Sequence, residues 1–164
     1  MTAGYDRARL EAELIRDEGE RLRVYLCPAG HRTIGVGRNL DATGIRPDER
    51  RDLGLSVARC CAYGITRAQS RALLANDVAA AEHALDARLP WWRTLAPVRQ
   101  RVLLEMAFNL GAAKLAAFHA TLAHTEHGAF AAAADEMLAS LWAHQVGARA
   151  ERLAAMMRTG KEPS

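Results

Sequence analysis

Asp17-Glu18-Gly19, Tyr25-Leu26-Cys27-Pro28-Ala29-Gly30 and Thr33-Ile34-Gly35-Val36-Gly37 form the stretch whose reading decides the fold. Before it, Leu10, Leu14 and Ile15 recur at helical spacing through a charged run, and Gly19 follows as a helix-terminating glycine would, so a first helix ends at Glu18. From Leu22 to Leu26 apolar and polar residues alternate, Pro28 to His31 supply turn chemistry, and Thr33 to Gly37 resume an extended run. Helix, small hairpin or three-stranded sheet is the expected order.

Working outward, Asp41, Thr43-Gly44 and Pro47 mark turns, and Pro47 to Ala62 fits an irregular helix broken near Gly54. Thr66-x-x-Gln69 has the form of a capping box, and Leu73, Leu74, Val78, Ala81 and Leu85 carry a helical stripe to Leu89, where Pro90 stops it. That helix, of roughly 23 residues, would be about 35 Å long at 1.5 Å per residue. Pro97 opens an apolar helix closed by Gly111, and further helical runs span 115–126, 129–142 and 148–158, punctuated by Gly128, Gly147 and Gly160. The alanines at 131–134 read as small-residue helix packing. The fold class is therefore α+β, mainly α.

At 164 residues the chain suits one core, or two small lobes sharing a helix. Half of it is apolar, a quarter charged and only 5% aromatic, which excludes a disordered or fibrous protein. A formal charge of +3 and a pI near 9.0 favour approach to an anionic polymer, nucleic acid or cell wall alike. Arg50-Arg51 and Arg99 with Arg101 are interleaved with acids and apolar groups, and read as solvated helix faces. Cys27, Cys60 and Cys61 cannot all pair, adjacent Cys60-Cys61 would strain a disulfide, and their spacing is not that of a zinc site. Met1 to Arg9 lacks a leader's apolar core, and no apolar run reaches membrane-spanning length. A reducing cytoplasm is the expected place of synthesis.

Cleaving a glycosidic bond needs a proton donor at the leaving oxygen and a group that orients or activates water on the opposite face of the sugar. Glu18 suits the first role, because the negative end of the helix dipole disfavours its ionised form. On the helix alone it would read as a surface glutamate beside Asp17. Cys27 follows nine residues later and Thr33 six after that. A thiol is largely neutral at pH 7, so Cys27 can replace a carboxylate only where neighbours lower its pKa; His31 and Arg38 are the candidate cations. Thr33 can donate and accept, which suits it to holding a water. Cys60 and Cys61 read as structural.

The whole run from Leu14 to Gly37 resembles the phage-type lysozymes of glycoside hydrolase family 24, in which an acid ends the first helix, an Asp or Cys follows in the hairpin and a Thr comes six further on. The resemblance continues through Glu105-Met106-Ala107-Phe108-Asn109-Leu110-Gly111, Phe118, Trp142 and Arg158-Thr159-Gly160, and is weak only between Asp41 and Gly64. It implies a single lysozyme-like domain over 1–164, two-lobed, with a β-containing lobe at 13–65. A linking helix over 66–89 would join it to a helical lobe at 90–164 that also receives the N-terminal helix, and a cleft would hold a glycan strand.

The resemblance further implies catalytic roles for Glu18, Cys27 and Thr33, and substrate-binding roles for Phe108, Thr121 and Arg149, the last at the position of the family's arginine that pairs with the acid. The activity implied is muramidase hydrolysis of the β-1,4 bond between N-acetylmuramic acid and N-acetylglucosamine, with inversion and without metal or cofactor. A lytic transglycosylase acting on the same bond, or an inactive wall-binding or particle-structural protein, are the alternatives; nucleic-acid binding is the weakest. A monomeric endolysin of phage or prophage would accumulate in the host bacterial cytoplasm, without membrane insertion, and reach the wall once a holin opens the membrane. Two departures stand out: Arg38 occupies the position where many relatives have His, and a substrate-contacting asparagine falls at Glu136.

Overall fold

The computed structural model describes residues 4–163; residues 1–3, part of the segment read above for a leader, lie outside them. Two compact units are present. One takes Glu11–Val78, and the other takes the chain up to Leu10 and from Ala79 onward. The boundaries fall inside two helices, α1 (Arg7–Glu18) and α4 (Arg67–Arg88). The fold is α+β and mainly helical, with one three-stranded antiparallel sheet in the order β1-β2-β3.

In the Glu11–Val78 unit, α1 ends where the sequence places it: the Gly19 amide closes on the Ile15 carbonyl at 2.9 Å, and Gly19 takes φ +74°. β1 (Arg21–Leu26) pairs with β2 (Arg32–Gly35) through Tyr25↔Thr33 and Leu26↔Arg32, with a register shift between Arg21 and Tyr25. β2 pairs in turn with the short β3 (Arg38–Asn39) through Ile34↔Arg38 and Thr33↔Asn39. The segment read as an irregular helix is two helices, α2 (Pro47–Leu53) and α3 (Val57–Tyr63), separated by left-handed Gly54 (φ +65°) and by Ser56, whose hydroxyl caps the Arg59 amide. Ile34, Leu40, Ile45, Leu55, Cys60, Ile65 and Leu73 form the hydrophobic core of this unit. Burying each aliphatic side chain contributes about 1.5–3 kcal/mol.

α4 opens on the capping box: the Gln69 amide donates to Thr66 Oγ1 at 3.1 Å, and the Thr66 amide donates to Gln69 Oε1 at 2.9 Å. In the other unit, a 3-10 turn over Trp92–Thr94 precedes α5 (Pro97–Leu110), which Pro97 starts and Gly111 ends. Trp92 is fully buried and donates its indole N–H to Asp86 at 2.8 Å. The run expected as one helix over 115–126 is α6 (Ala112–Ala116) and α7 (His119–Glu126), broken at Phe118, whose ring packs edge-on against buried Trp142. The run expected over 129–142 is α8 (Phe130–Ala139) and α9 (Leu141–Val146), divided at Ser140, which takes extended backbone and caps the Ala143 amide.

α10 (Ala148–Thr159) completes the unit and packs on α8, where Ala133 and Ala134 are fully buried, as expected of the alanine run. Arg99 and Arg101 do not form a solvated face. Arg99 lies over the Phe130 ring at 3.5 Å and donates to the Met157 carbonyl, while Arg101 is buried and paired with Glu162 at 2.6 Å. Both have found partners from distant parts of the chain, which their sequence neighbours do not disclose.

Candidate active site

Glu18 is the last residue of α1, and the backbone of Gly37 runs so near its side chain that only a residue without a Cβ leaves it room. A Cβ added at Gly37 would lie 3.3 Å from Glu18 Oε2 and 3.6 Å from its Cδ. Gly37 also has φ +70° and Gly35 φ +65°, conformations that L side chains rarely adopt, so the Gly35-Val36-Gly37 loop between β2 and β3 takes a path that suits glycine. Val36 anchors that loop by burying its side chain. The loop thereby brings the main chain to the carboxyl without a side chain intervening.

Cys27 begins the turn between β1 and β2, where Gly30 N–H donates to the Cys27 carbonyl at 2.8 Å and Cys27 N–H donates to the His31 carbonyl at 3.0 Å. The thiol is half-buried and free. Its pKa is lowered chiefly by the His31 main-chain amide, against opposing desolvation, with help from the Ala29 amide, the Thr33 hydroxyl and the Gly30 amide. The expectation that cationic side chains at His31 or Arg38 would do this is corrected: His31 acts through its backbone, and Arg38 is committed elsewhere.

Thr33 is buried at 4% exposure on β2, opposite Tyr25, and its hydroxyl donates to the His31 carbonyl at 3.0 Å. Tyr25 links the members of the set. Burial pushes its phenol pKa up, Arg21 stacked 4.5 Å from its ring centre opposes that, and the nearby charges of Glu18 and Cys27 each raise it further.

Arg38, at 2% exposure, replaces any histidine interaction with a larger network. It is bidentate to Glu49 at 2.8 Å on both nitrogens and bidentate to Asp77 at 2.9 Å on both, and it also donates to the Gly44 and Leu73 carbonyls. Arg46 joins the same two carboxylates, and Asn76 donates to Glu49 at 3.0 Å.

Phe108, Thr121 and Arg149 belong to the other unit. Phe108 is half-buried on α5, and Thr121 is buried at the start of α7 with its carbonyl accepting from Thr125. Arg149, on α10, lies 3.4 Å from Glu105, which is fully buried and also faces Arg152. Thr121 and Glu136 line one pocket of about 270 Å³ together with Phe118, His119 and Ser140.

A phage lysozyme family model matches residues 16–160, which covers all of these positions. The chain belongs to the phage lysozyme family. It is 28% identical over 157 residues to probable T4-type lysozyme 1 of Dictyostelium discoideum, covering 88% of this chain and 90% of that one. It is 25% identical over 153 residues to probable T4-type lysozyme 2 of the same organism, with the same coverage. It is also 30% identical over 158 residues to the pre-baseplate central spike protein Gp5 of Enterobacteria phage T4, covering 91% of this chain but 28% of that protein. Family membership makes this chain a lysozyme-like peptidoglycan hydrolase, a glycosidase-type enzyme.

Within this phage lysozyme fold, the structure brings Glu18, Cys27 and Thr33 into one unit with Tyr25 and Gly37, and it holds Phe108, Thr121 and Arg149 in the other. Sequence reasoning missed the amides around Cys27 and the carboxylates around Arg38. Backbone donors leave no mark on residue type, whereas Glu49 and Asp77 carried a signal, since a buried arginine needs carboxylates.

Proposed function

We propose that the chain is a muramidase that hydrolyses the β-1,4 bond between N-acetylmuramic acid and N-acetylglucosamine. The observation that carries this reading is the Glu18 carboxyl beside the Gly37 position, in the same unit as a thiol whose pKa its neighbours lower. Glu18 acts as general acid and protonates the departing glycosidic oxygen. The Cys27 thiolate, held by turn amides, takes a proton from the attacking water, and Thr33 orients that water. Attack on the face opposite the leaving group inverts the anomeric centre. Phe108, Thr121 and Arg149 contact the glycan strand.

The wider reading is that of a monomeric endolysin of phage or prophage that binds no nucleic acid. It accumulates in the host cytoplasm, reaches the wall after a holin permeabilises the membrane, and lyses the cell. Muropeptide analysis of digested wall tests the chemistry. New reducing muramic acid ends are expected from wild type and none from Glu18→Gln, whereas 1,6-anhydro ends would assign a lytic transglycosylase. The similarity to a spike protein favours a second reading, a particle-structural module; wall cleavage that Glu18→Gln abolishes would exclude an inactive one.

A further inference from the structure

The geometry points to Arg38 as a positioning residue for Glu18, acting through the Gly35-Val36-Gly37 loop. This inference rests on the proposed role of Glu18 as proton donor, and every group in it lies within the Glu11–Val78 unit. Arg38 follows Gly37 directly, and Gly37 is the residue at which an added Cβ would lie 3.3 Å from the Glu18 carboxyl. It also closes the hairpin opposite Ile34, one residue from Thr33, so a single residue borders the loop at both the acid and the threonine.

A loop with two left-handed glycines is costly to hold in one conformation, because glycine loses the most backbone freedom on ordering. Hydrophobic anchoring by Val36 fixes its tip but not its exit. Arg38 fixes the exit, since its guanidinium fork is bidentate to Glu49 on α2 and bidentate to Asp77 on α4. Planar, two-point pairs set direction as well as distance, which a lysine's single ammonium cannot reproduce. Four fixed bonds to two helices leave the Gly37 carbonyl and amide little freedom beside Glu18. An error of about 1 Å in the placement of a reacting group can cost on the order of a hundredfold in rate.

The test compares wild type with Arg38→Lys, Asp77→Asn and, as a control, Leu55→Ala, which weakens the core of the same unit without touching the loop. Each is assayed on solubilised glycan strands at a temperature where circular dichroism finds it folded. Arg38→Lys is expected to lower kcat about tenfold to a hundredfold with KM nearly unchanged, and Asp77→Asn to lower it less, while Leu55→Ala keeps wild-type kcat. If Arg38→Lys does not fold, Asp77→Asn decides alone. Wild-type kcat in the folded arginine and aspartate variants, or an equal loss in Leu55→Ala, would overturn the proposal. Should wild type itself release no reducing ends, the reading of function fails separately. The carboxyl carbon resonance of Glu18 then decides: it is expected to move in Arg38→Lys and stay in Leu55→Ala, and an unmoved resonance in Arg38→Lys overturns the positioning role.

Discussion

The Thr33 hydroxyl donates to the His31 carbonyl across 3.0 Å, at the far end of the turn that Cys27 begins. A hydroxyl has one proton and a freely rotating O–H, so it serves the carbonyl while the thiol is neutral and can swing to the sulfur when that ionises. The same residue thus holds the strand end and is a neighbour that lowers the Cys27 pKa.

This gives a measurable thiol. In a Cys60→Ala, Cys61→Ser background, the pH dependence of iodoacetamide alkylation at Cys27 is expected to have its midpoint below that of an ordinary thiol, near about 8.5. Thr33→Val is expected to move that midpoint up. Activity that depends on the thiolate rises through the same lowered pKa, so Cys27→Asp should retain wall cleavage and extend it to lower pH, whereas Cys27→Ser should lose it. Equal activity in Cys27→Ser and wild type would reduce the cysteine to packing.

Gly37→Ala places a methyl 3.3 Å from Glu18 Oε2 on a backbone with φ +70°. The left-handed conformation alone costs about 1–2 kcal/mol, or roughly 2–8 °C in Tm. Loss of kcat is expected to exceed that modest shift, at about tenfold or more, because the methyl intrudes on the acid itself. A variant that melts early yet keeps its kcat would contradict this.

Glu49 links stability to acid. Burial pushes its carboxyl up, but Arg38 first, then Asn76 and the Arg46 amide, outweigh that and hold it at about 2. An unfolded glutamate titrates near about 4.3, so the folded state binds fewer protons: the contribution is complete above that value and is lost as pH falls from about 4 toward 2. It amounts to on the order of 2–3 kcal/mol. Denaturant melts from pH 6 down to pH 2 should show this loss in wild type, and a flatter profile in Glu49→Gln.

Ser140 divides α8 from α9 by accepting from the Ala143 amide at 3.2 Å and donating to the Met137 carbonyl. Ser140→Ala should cost about 1 kcal/mol, or roughly 2–4 °C in Tm, read from its thermal melt. A neutral effect would mean that the Phe118 and Trp142 packing alone sets the break.

Much of the fold was legible because its signals are local. Glycine at position 19, the Thr66 and Gln69 pair, and Gly111 each fix a helix end by satisfying backbone groups within one turn, while Pro97 opens its helix by presetting φ and leaving no amide to satisfy. Ser140 was such a signal too, hidden inside an apolar run. Phe118 was not, since it interrupts its helix to reach Trp142, a partner 24 residues away (142 − 118). In the site, Glu18, Cys27 and Thr33 were legible by spacing, while the partners of Arg38 lie 11 and 39 residues off and the donors around Cys27 are main-chain amides common to any sequence.

The division of the chain has an optical consequence. Trp91, Trp92 and Trp142 all lie in the unit that begins again at Ala79, as do all three phenylalanines, whereas the Glu11–Val78 unit carries Tyr25 and Tyr63 as its only ring chromophores. Intrinsic indole emission therefore originates wholly in the helical half, and no indole lies in the unit that carries Glu18. A fluorescence-detected transition could leave the acid, the thiol and their sheet unreported, so a tyrosine or engineered tryptophan signal near the hairpin is needed to see that part unfold.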